Sequence, residues 1–144
     1  MARVYVSSVI GAPVAEVWRL IRDFKALPAW TPFVRDSRIE GGLRGDQVGC
    51  IRNFTLKDGG VIRERLLALS DYDMACTYAI LESPMAVTDY TATLGLTPIT
   101  EVNQTFAFWQ ADFDCAPDRE AGLVAQIGQG VFQAGLAALK QRFR

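Results

Sequence analysis

Glu64 is the residue whose setting most calls for a chemical reason. In Val61-Ile62-Arg63-Glu64-Arg65-Leu66-Leu67-Ala68-Leu69, strand alternation puts its carboxylate on the side of Ile62, Leu66 and Ala68, while Arg63 and Arg65 take the opposite side and suit water. A carboxylate turned into an apolar interior protonates or finds a partner. Glu64 is therefore expected either to be paired inside a core or to face a cavity, where it could hold water or a hydroxyl, or act as an acid/base. Leu67 and Leu69 blur the alternation at its end.

The composition narrows the chemistry further. The chain of 144 residues contains no histidine, which excludes Ser-His-Asp and Cys-His triads, His-ligated zinc and imidazole proton shuttles. Any acid or base must be a carboxylate, a tyrosine, a lysine or a thiol. Cys50, Cys76 and Cys115 are widely spaced and odd in number, so they read as reduced core thiols rather than a disulfide framework or a metal site. The Gly41-Gly42 and Gly59-Gly60 pairs lie between strand-like segments and read as hairpin turns, not phosphate loops. Neither a metal nor an organic cofactor is expected. A net charge of -1 with no basic run gives no footprint for nucleic acid. The start lacks a signal-peptide core, and no uninterrupted apolar run approaches the roughly 20 residues of a membrane span. A cytoplasmic location without stable membrane anchoring is the expectation.

The elements that must position Glu64 follow from periodicity. A first strand over Ala2 to Ile10 leads through Gly11-Ala12-Pro13 into a helix carrying Val14, Val17, Trp18, Ile21 and Phe24 on one stripe, with proline suited to its first turn. A short second helix covers Lys25 to Trp30 and stops at Thr31-Pro32. The pattern then changes to period two over Phe33 to Glu40, Val48 to Lys57, Val61 to Leu69, Tyr72 to Leu81, Val87 to Thr97 and Val102 to Phe113. Helical spacing returns from Asp118 to Phe143 through Leu123, Ile127, Val131, Gly135, Ala138 and Leu139. Half of the residues are hydrophobic. A chain of this length buries roughly 70% of its unfolded surface, so residues 1–144 are expected to form a single α+β domain whose antiparallel sheet hides its apolar face against the last helix. A sheet that curves round that helix without filling the gap leaves a cavity.

Several local motifs accompany this order of elements: Ala12-Pro13-Val14-Ala15-Glu16-Val17-Trp18 with Asp23-Phe24, Val48-Gly49-Cys50-Ile51-Arg52, Arg63-Glu64-Arg65-Leu66, and Asp112-Phe113 before the last helix. With them the chain resembles the SRPBCC superfamily of polyketide cyclase-like proteins, START lipid-transfer domains and birch-pollen-allergen-type binders. The resemblance implies a helix-grip fold: a seven-stranded curved antiparallel sheet wrapped around a long C-terminal helix, with two short helices after the first strand. From Val48 to Tyr90 the chain resembles the plant abscisic-acid receptors more closely than it resembles the lipid-transfer domains. Their ligand-binding lysine falls on Arg35, their pocket glutamate on Glu64 and a pocket tyrosine on Tyr90. Alternation agrees, placing Arg35 with Phe33 and Ile39, and Tyr90 with Ala92, Leu94 and Leu96. The gate and latch of those receptors are replaced here by Lys57-Asp58-Gly59-Gly60 and Glu82-Ser83-Pro84-Met85-Ala86, so hormone reception and phosphatase inhibition do not transfer. An asparagine of their last helix is matched by Gly135, which implies a pocket enlarged at that point. Met85 falls at the pocket mouth by the same comparison.

Three functions are weighed. In the first, a small and mostly hydrophobic molecule, lipid-, polyketide- or hormone-like, is held between the sheet and the last helix. Arg35, Glu64 and Tyr90 would orient a carboxylate, carbonyl or hydroxyl, and Leu66, Ala92, Leu94, Trp109, Ile127, Val131 and Gly135 would supply apolar contact. In the second, a cofactor-free cyclase or dehydratase of the lyase kind uses Glu64 as catalytic acid/base, with Arg35 or Tyr90 stabilising an oxyanion. In the third, the adjacent outward aromatics Phe106 and Phe108 mark the surface of a homodimerising interaction module.

Overall fold

A computed structural model describes residues 1–144. The chain runs β1 (Ala2–Ile10), α1 (Val14–Ile21), α2 (Leu27–Trp30), β2 (Val34–Ile39), β3 (Ile51–Leu56), β4 (Val61–Ser70), β5 (Ala75–Glu82), β6 (Thr88–Ile99) and β7 (Gln104–Asp114), and ends in a helix over Pro117–Arg142. The strands form one antiparallel sheet in the order β1-β7-β6-β5-β4-β3-β2. Hairpins join every sequential pair from β2 to β7, and the first strand closes against the last. The expected α+β helix-grip architecture is the one observed.

Each element carries its cause in the sequence. Val17, Trp18 and Ile21 form the buried face of α1, which starts directly after Pro13. Phe24, two per cent exposed, enters the core from the turn that follows rather than from the helix itself. In α2 a single turn ends at Thr31, whose hydroxyl donates to the Leu27 carbonyl at 2.7 Å. Trp18 Nε1 and Arg22 Nε both donate to Asp71 Oδ1 at 2.8 Å, pinning α1 to the β4–β5 turn. The expected strands are recovered, with β3 beginning at Ile51 rather than near Val48 and β5 at Ala75 rather than near Tyr72.

Register shifts interrupt the alternation at Val34/Asp36, Arg63/Glu64, Leu66/Ala68 and Thr88/Thr91. Bulges of this kind bend a sheet, and here it wraps the final helix. They also displace side chains from their predicted faces. Leu67 is the unpaired residue between Leu66 and Ala68 on the β5 side, so Ala68 turns to solvent and Leu69 packs back on the core. This accounts for the two leucines that blur the sequence pattern.

The last helix is regular only at its ends. Between α-helical stretches at Glu120–Ala125 and Ala134–Arg142, the segment Gln126–Gln133 is a π-helix. Its wider turn steps the buried stripe by one residue, through Leu123, Ile127, Phe132, Leu136 and Leu139. The helix is long and apolar enough to cross a membrane by length and composition. Its apolar stripe instead packs on the sheet, with Phe132 stacked on Trp109 of β7 at a centroid separation of 4.5 Å. Arg142 Nη1 donates to the Ala29 carbonyl at 3.0 Å and ties the far end to α2.

On the outer face of the sheet, Phe108 lies over Gly95, where a Cβ would come within 2.5 Å of the ring, and stacks on Tyr5 at 6.1 Å. A glycine in mid-strand is thus covered by its cross-strand partner. Phe106 and Phe108 do point outward, half-buried, and Phe108 is engaged within its own chain.

Candidate functional site

Between the concave face of the sheet and the π-helical half of the last helix lies a cavity of about 670 Å³. Its apolar wall comes from Phe54, Leu56, Ile62 and Ile80 of the sheet, Leu27 and Phe33 near α2, and Leu123, Ile127 and Val131 of the helix. Arg52, Glu64, Tyr78, Tyr90 and Trp109 add polar groups. The mouth is framed by the β3–β4 turn with Lys57 and Asp58, the β5–β6 loop with Pro84, Met85 and Ala86, and the first turns of the helix with Arg119 and Gln126. A smaller groove of about 430 Å³ lies at Leu81–Ser83 and Val87–Asp89 and shares Ile80 and Tyr90 with the cavity. It opens where β5 pairing with β6 stops at Ala79↔Thr91.

Glu64 is five per cent exposed and sits directly across from Arg52 in the β3–β4 register. Arg52 Nε donates to Glu64 Oε1 at 2.7 Å, Nη2 lies at the same distance from that oxygen, and Nη1 donates to the Phe24 carbonyl at 3.3 Å. The guanidinium is held between the rings of Phe24, at 3.8 Å from the centroid, and Tyr78, at 4.6 Å. Stacking of this sort favours a desolvated cation by ~2 kcal/mol. Glu64 Oε2 receives no hydrogen bond from the protein, and it is not among the sealed, unpartnered atoms, of which Ser37 Oγ is the one instance. That oxygen is open to the cavity. Burial pushes the Glu64 carboxyl above its usual range, and the Arg52 charge and hydrogen bond pull against that rise.

The other titratable groups of the interior are neutral by environment. Burial raises the phenols of Tyr78 and Tyr90, so both keep their protons, and Tyr78 accepts a hydrogen bond from Trp109 Nε1 at 3.0 Å. The Cys76 thiol is pushed up to about 11 by burial, and that of Cys50 is also raised. Thiolate chemistry at neutral pH is not supported at either position. The three cysteines are free, and no cluster of His, Cys, Asp and Glu is arranged to hold a metal ion.

Of the residues singled out in the sequence, the cavity brings together Glu64, Tyr90, Trp109, Ile127 and Val131, with Met85 at its mouth. Arg35 is not among them. It is the unpaired residue of the bulge between Val34 and Asp36, its side chain is 60% exposed, and it pairs with Asp36 at 3.1 Å. A period-two reading carried across that bulge turns the side chain inward, whereas the chain turns it out. Leu66, Ala92 and Leu94 are buried in the core beyond the cavity wall. Gly135 does not enlarge the cavity, because Trp109 occupies the vacated space: a Cβ there would stand 2.8 Å from Trp109 Cζ3. Trp109 is in turn flanked by Trp30, at 5.7 Å, and Phe132.

Arg52, the cation that takes the place expected of Arg35, was legible by the same test that singles out Glu64. It shares parity with Cys50 and Phe54, and all three are buried. Phe132 was hidden by the π-helical step. Tyr78 lies in β5 and shares its inward parity with Cys76.

The whole chain, residues 1–144, matches the family described as "Polyketide cyclase / dehydrase and lipid transport". Among solved structures, the protein XoxI from Bacillus cereus is 31% identical with a TM-score of 0.88, the alignment covering 99% of this chain and 96% of that one. A protein from Thermobifida fusca is 32% identical with a TM-score of 0.89, covering 99% and 93%. A START superfamily protein from Mycobacterium smegmatis, 14% identical, shares the fold with a TM-score of 0.81 over 99% and 97% of the two chains. No curated protein matches by sequence.

Proposed function

The chain belongs to the polyketide cyclase/dehydrase and lipid transport family, and from that premise we propose that its cavity binds a small, mostly hydrophobic molecule, lipid- or polyketide-like, with a few polar groups. One observation carries this reading: the buried Glu64 leaves Oε2 without a protein partner on the wall of an otherwise largely apolar cavity. A buried acceptor normally has a donor, and a ligand hydroxyl or a bound water supplies one. The volume of about 670 Å³ falls inside the roughly 300–1,000 Å³ of small-molecule sites. Tyr90 gives the ligand one further polar edge, and Trp109, whose Nε1–H is already given to Tyr78, joins Ile127 and Val131 in giving it apolar contact. A cytoplasmic, single-domain carrier or sensor is part of the same proposal.

Native mass spectrometry of freshly purified protein, followed by organic extraction, tests it. The expected result is one apolar molecule per chain, either carried through purification or taken up from a panel of fatty acids, alcohols and aromatic polyketides. A chain that neither carries nor takes up any of them overturns the reading.

A second reading, cofactor-free lyase or cyclase chemistry with Glu64 as the acid/base, is favoured by the upward push of burial on its carboxyl, since a base poised nearer neutrality transfers protons better. It ranks second because Arg52, 2.7 Å away, stabilises the carboxylate and weakens it as a base. Turnover of a polyketide-like substrate that disappears in Glu64→Gln would promote it.

A further inference from the structure

The lining of the cavity is charged in two places, and only one of them has charge to spare. Inside, Arg52 and Glu64 cancel. The Arg52 guanidinium is engaged by Glu64 Oε1, by the Phe24 carbonyl and by the faces of Phe24 and Tyr78. A ligand anion brought to it would lie beside the Glu64 carboxylate in a poorly polarisable interior, where like charges repel most strongly. The interior therefore disfavours an anionic group and offers an acceptor, Glu64 Oε2, to a neutral donor.

The mouth has the opposite character. Lys57, from the β3–β4 turn, and Arg119, from the first turn of the last helix, both line it, and neither has a carboxylate within 4.0 Å. Asp58 is the one carboxylate on the rim, and its Oδ1 accepts the Gly60 N–H within its own turn at 2.9 Å. Two cations against one anion leave the rim positive in a chain whose net charge is -1. Arg119 also stands at the positive end of its helix, where a cation works against the macrodipole, so helix stability does not account for its place. Lys57 lies five residue steps along the chain from Arg52, just past the end of β3, about 16 Å if extended, which sets the span between the inner acceptor and the cation of the β3–β4 turn.

We propose that the cavity takes an anionic amphiphile in one orientation: its charged end at the mouth between Lys57 and Arg119, its apolar body along Ile62, Ile127 and Val131, and a neutral donor such as a hydroxyl at the inner end, given to Glu64 Oε2. This rests on the reading that the cavity binds an apolar molecule, and it adds the charge and polarity of that molecule.

The test uses the full chain and displacement of a bound neutral naphthylamine fluorophore by dodecanol, dodecanoate and ω-hydroxydodecanoate. Dodecanoate is expected to bind roughly three- to tenfold more tightly than dodecanol, a preference that shrinks in high salt and is lost in the Lys57→Ala/Arg119→Ala double variant. Both side chains are exposed, so the variant should melt with the parent, and its affinity for dodecanol should be unchanged. The ω-hydroxyl should tighten binding again in the parent protein. Equal affinity for dodecanol and dodecanoate, or a double variant that weakens both alike, overturns the outer half of the proposal. An ω-hydroxyl without effect overturns the inner half. If the fluorophore and all three compounds fail to bind, the cavity reading itself has failed and this proposal falls with it.

Discussion

Arg52 and Glu64 bring two charges into an interior that would be cheaper without them, and each is tolerable only because the other is there. Desolvating an ion pair commonly offsets the attraction within it, whereas removing one partner strands the other at ~3–5 kcal/mol. Arg52→Met and Glu64→Leu should therefore each destabilise the protein by that much, and the double variant by far less than the sum, as read from urea midpoints. Additive single losses would mean that the two side chains act separately, against the 2.7 Å contact. Glu64 is legible in the sequence because Ile62 and Leu66 flank it on the inward parity and no bulge intervenes on its β3 side, where Arg52↔Glu64 and Phe54↔Ile62 stay in register. Arg35 is misread for the converse reason, since a one-residue bulge reverses the facing of a side chain without leaving a mark in the residue types. The receptor resemblance points to the same wrong residue. It aligns a charge with a charge, whereas the buried cation that faces this cavity, Arg52, stands one strand across on β3.

At the scale of elements, the last helix and the strand beneath it are fitted by small and large residues in alternation. Gly135 lets Trp109 close against the helix, and the π-helical segment brings Phe132, rather than Val131, onto the same ring. Phe132 is fully buried, so Phe132→Ala should cost about 3–5 kcal/mol. Val131 lines the cavity and is half-buried, so Val131→Ala should cost under about 1 kcal/mol and act mainly on ligand affinity. Comparable thermal shifts in the two variants would place the helix one residue out of phase with the structure. Gly135→Ala adds a methyl where Trp109, hemmed by Trp30 and Phe132, has no room to yield. It should destabilise by about 1–3 kcal/mol despite alanine's better helix propensity, and change the tryptophan emission. The length and placement of this helix are legible from periodicity. Its phase beyond Ile127 is not, because the sequence records a period of 3.6 and a π-helical turn adds a residue that nothing in the residue types announces.

For the whole molecule, the charge pattern fixes where in pH the fold is vulnerable. With no histidine in the chain, the carboxylates carry most of the proton linkage on the acid side. Glu40 is the best placed of them: Arg63 of β4 donates to both its oxygens, at 2.7 and 2.9 Å, and Asn53 of β3 adds a third bond at 3.1 Å. These contacts, the Arg63 hydrogen bonds first, hold its carboxyl down to about 2. Asp71, beside Arg22 and Trp18, and Asp112, beside Arg3, are lowered by their partners in the same way. A carboxyl lowered in the folded state contributes stability that is present above its unfolded value and is lost as pH falls toward its folded one. Glu64 has the opposite sign. Its raised carboxyl favours the fold at low pH, and that contribution fades as pH rises through its folded value. Stability should thus vary little near neutrality and fall steeply below about pH 4, where the lowered carboxyls take up protons on unfolding. Glu40→Gln should leave a shallower acid limb, because one group no longer gains a proton when the chain unfolds. Urea midpoints followed from about pH 7 to about pH 2.5 should show the parent and variant curves converging at the acid end. Parallel curves over that whole range would mean that the Glu40–Arg63 pair carries no proton linkage, and that another carboxylate sets the acid limit of this fold.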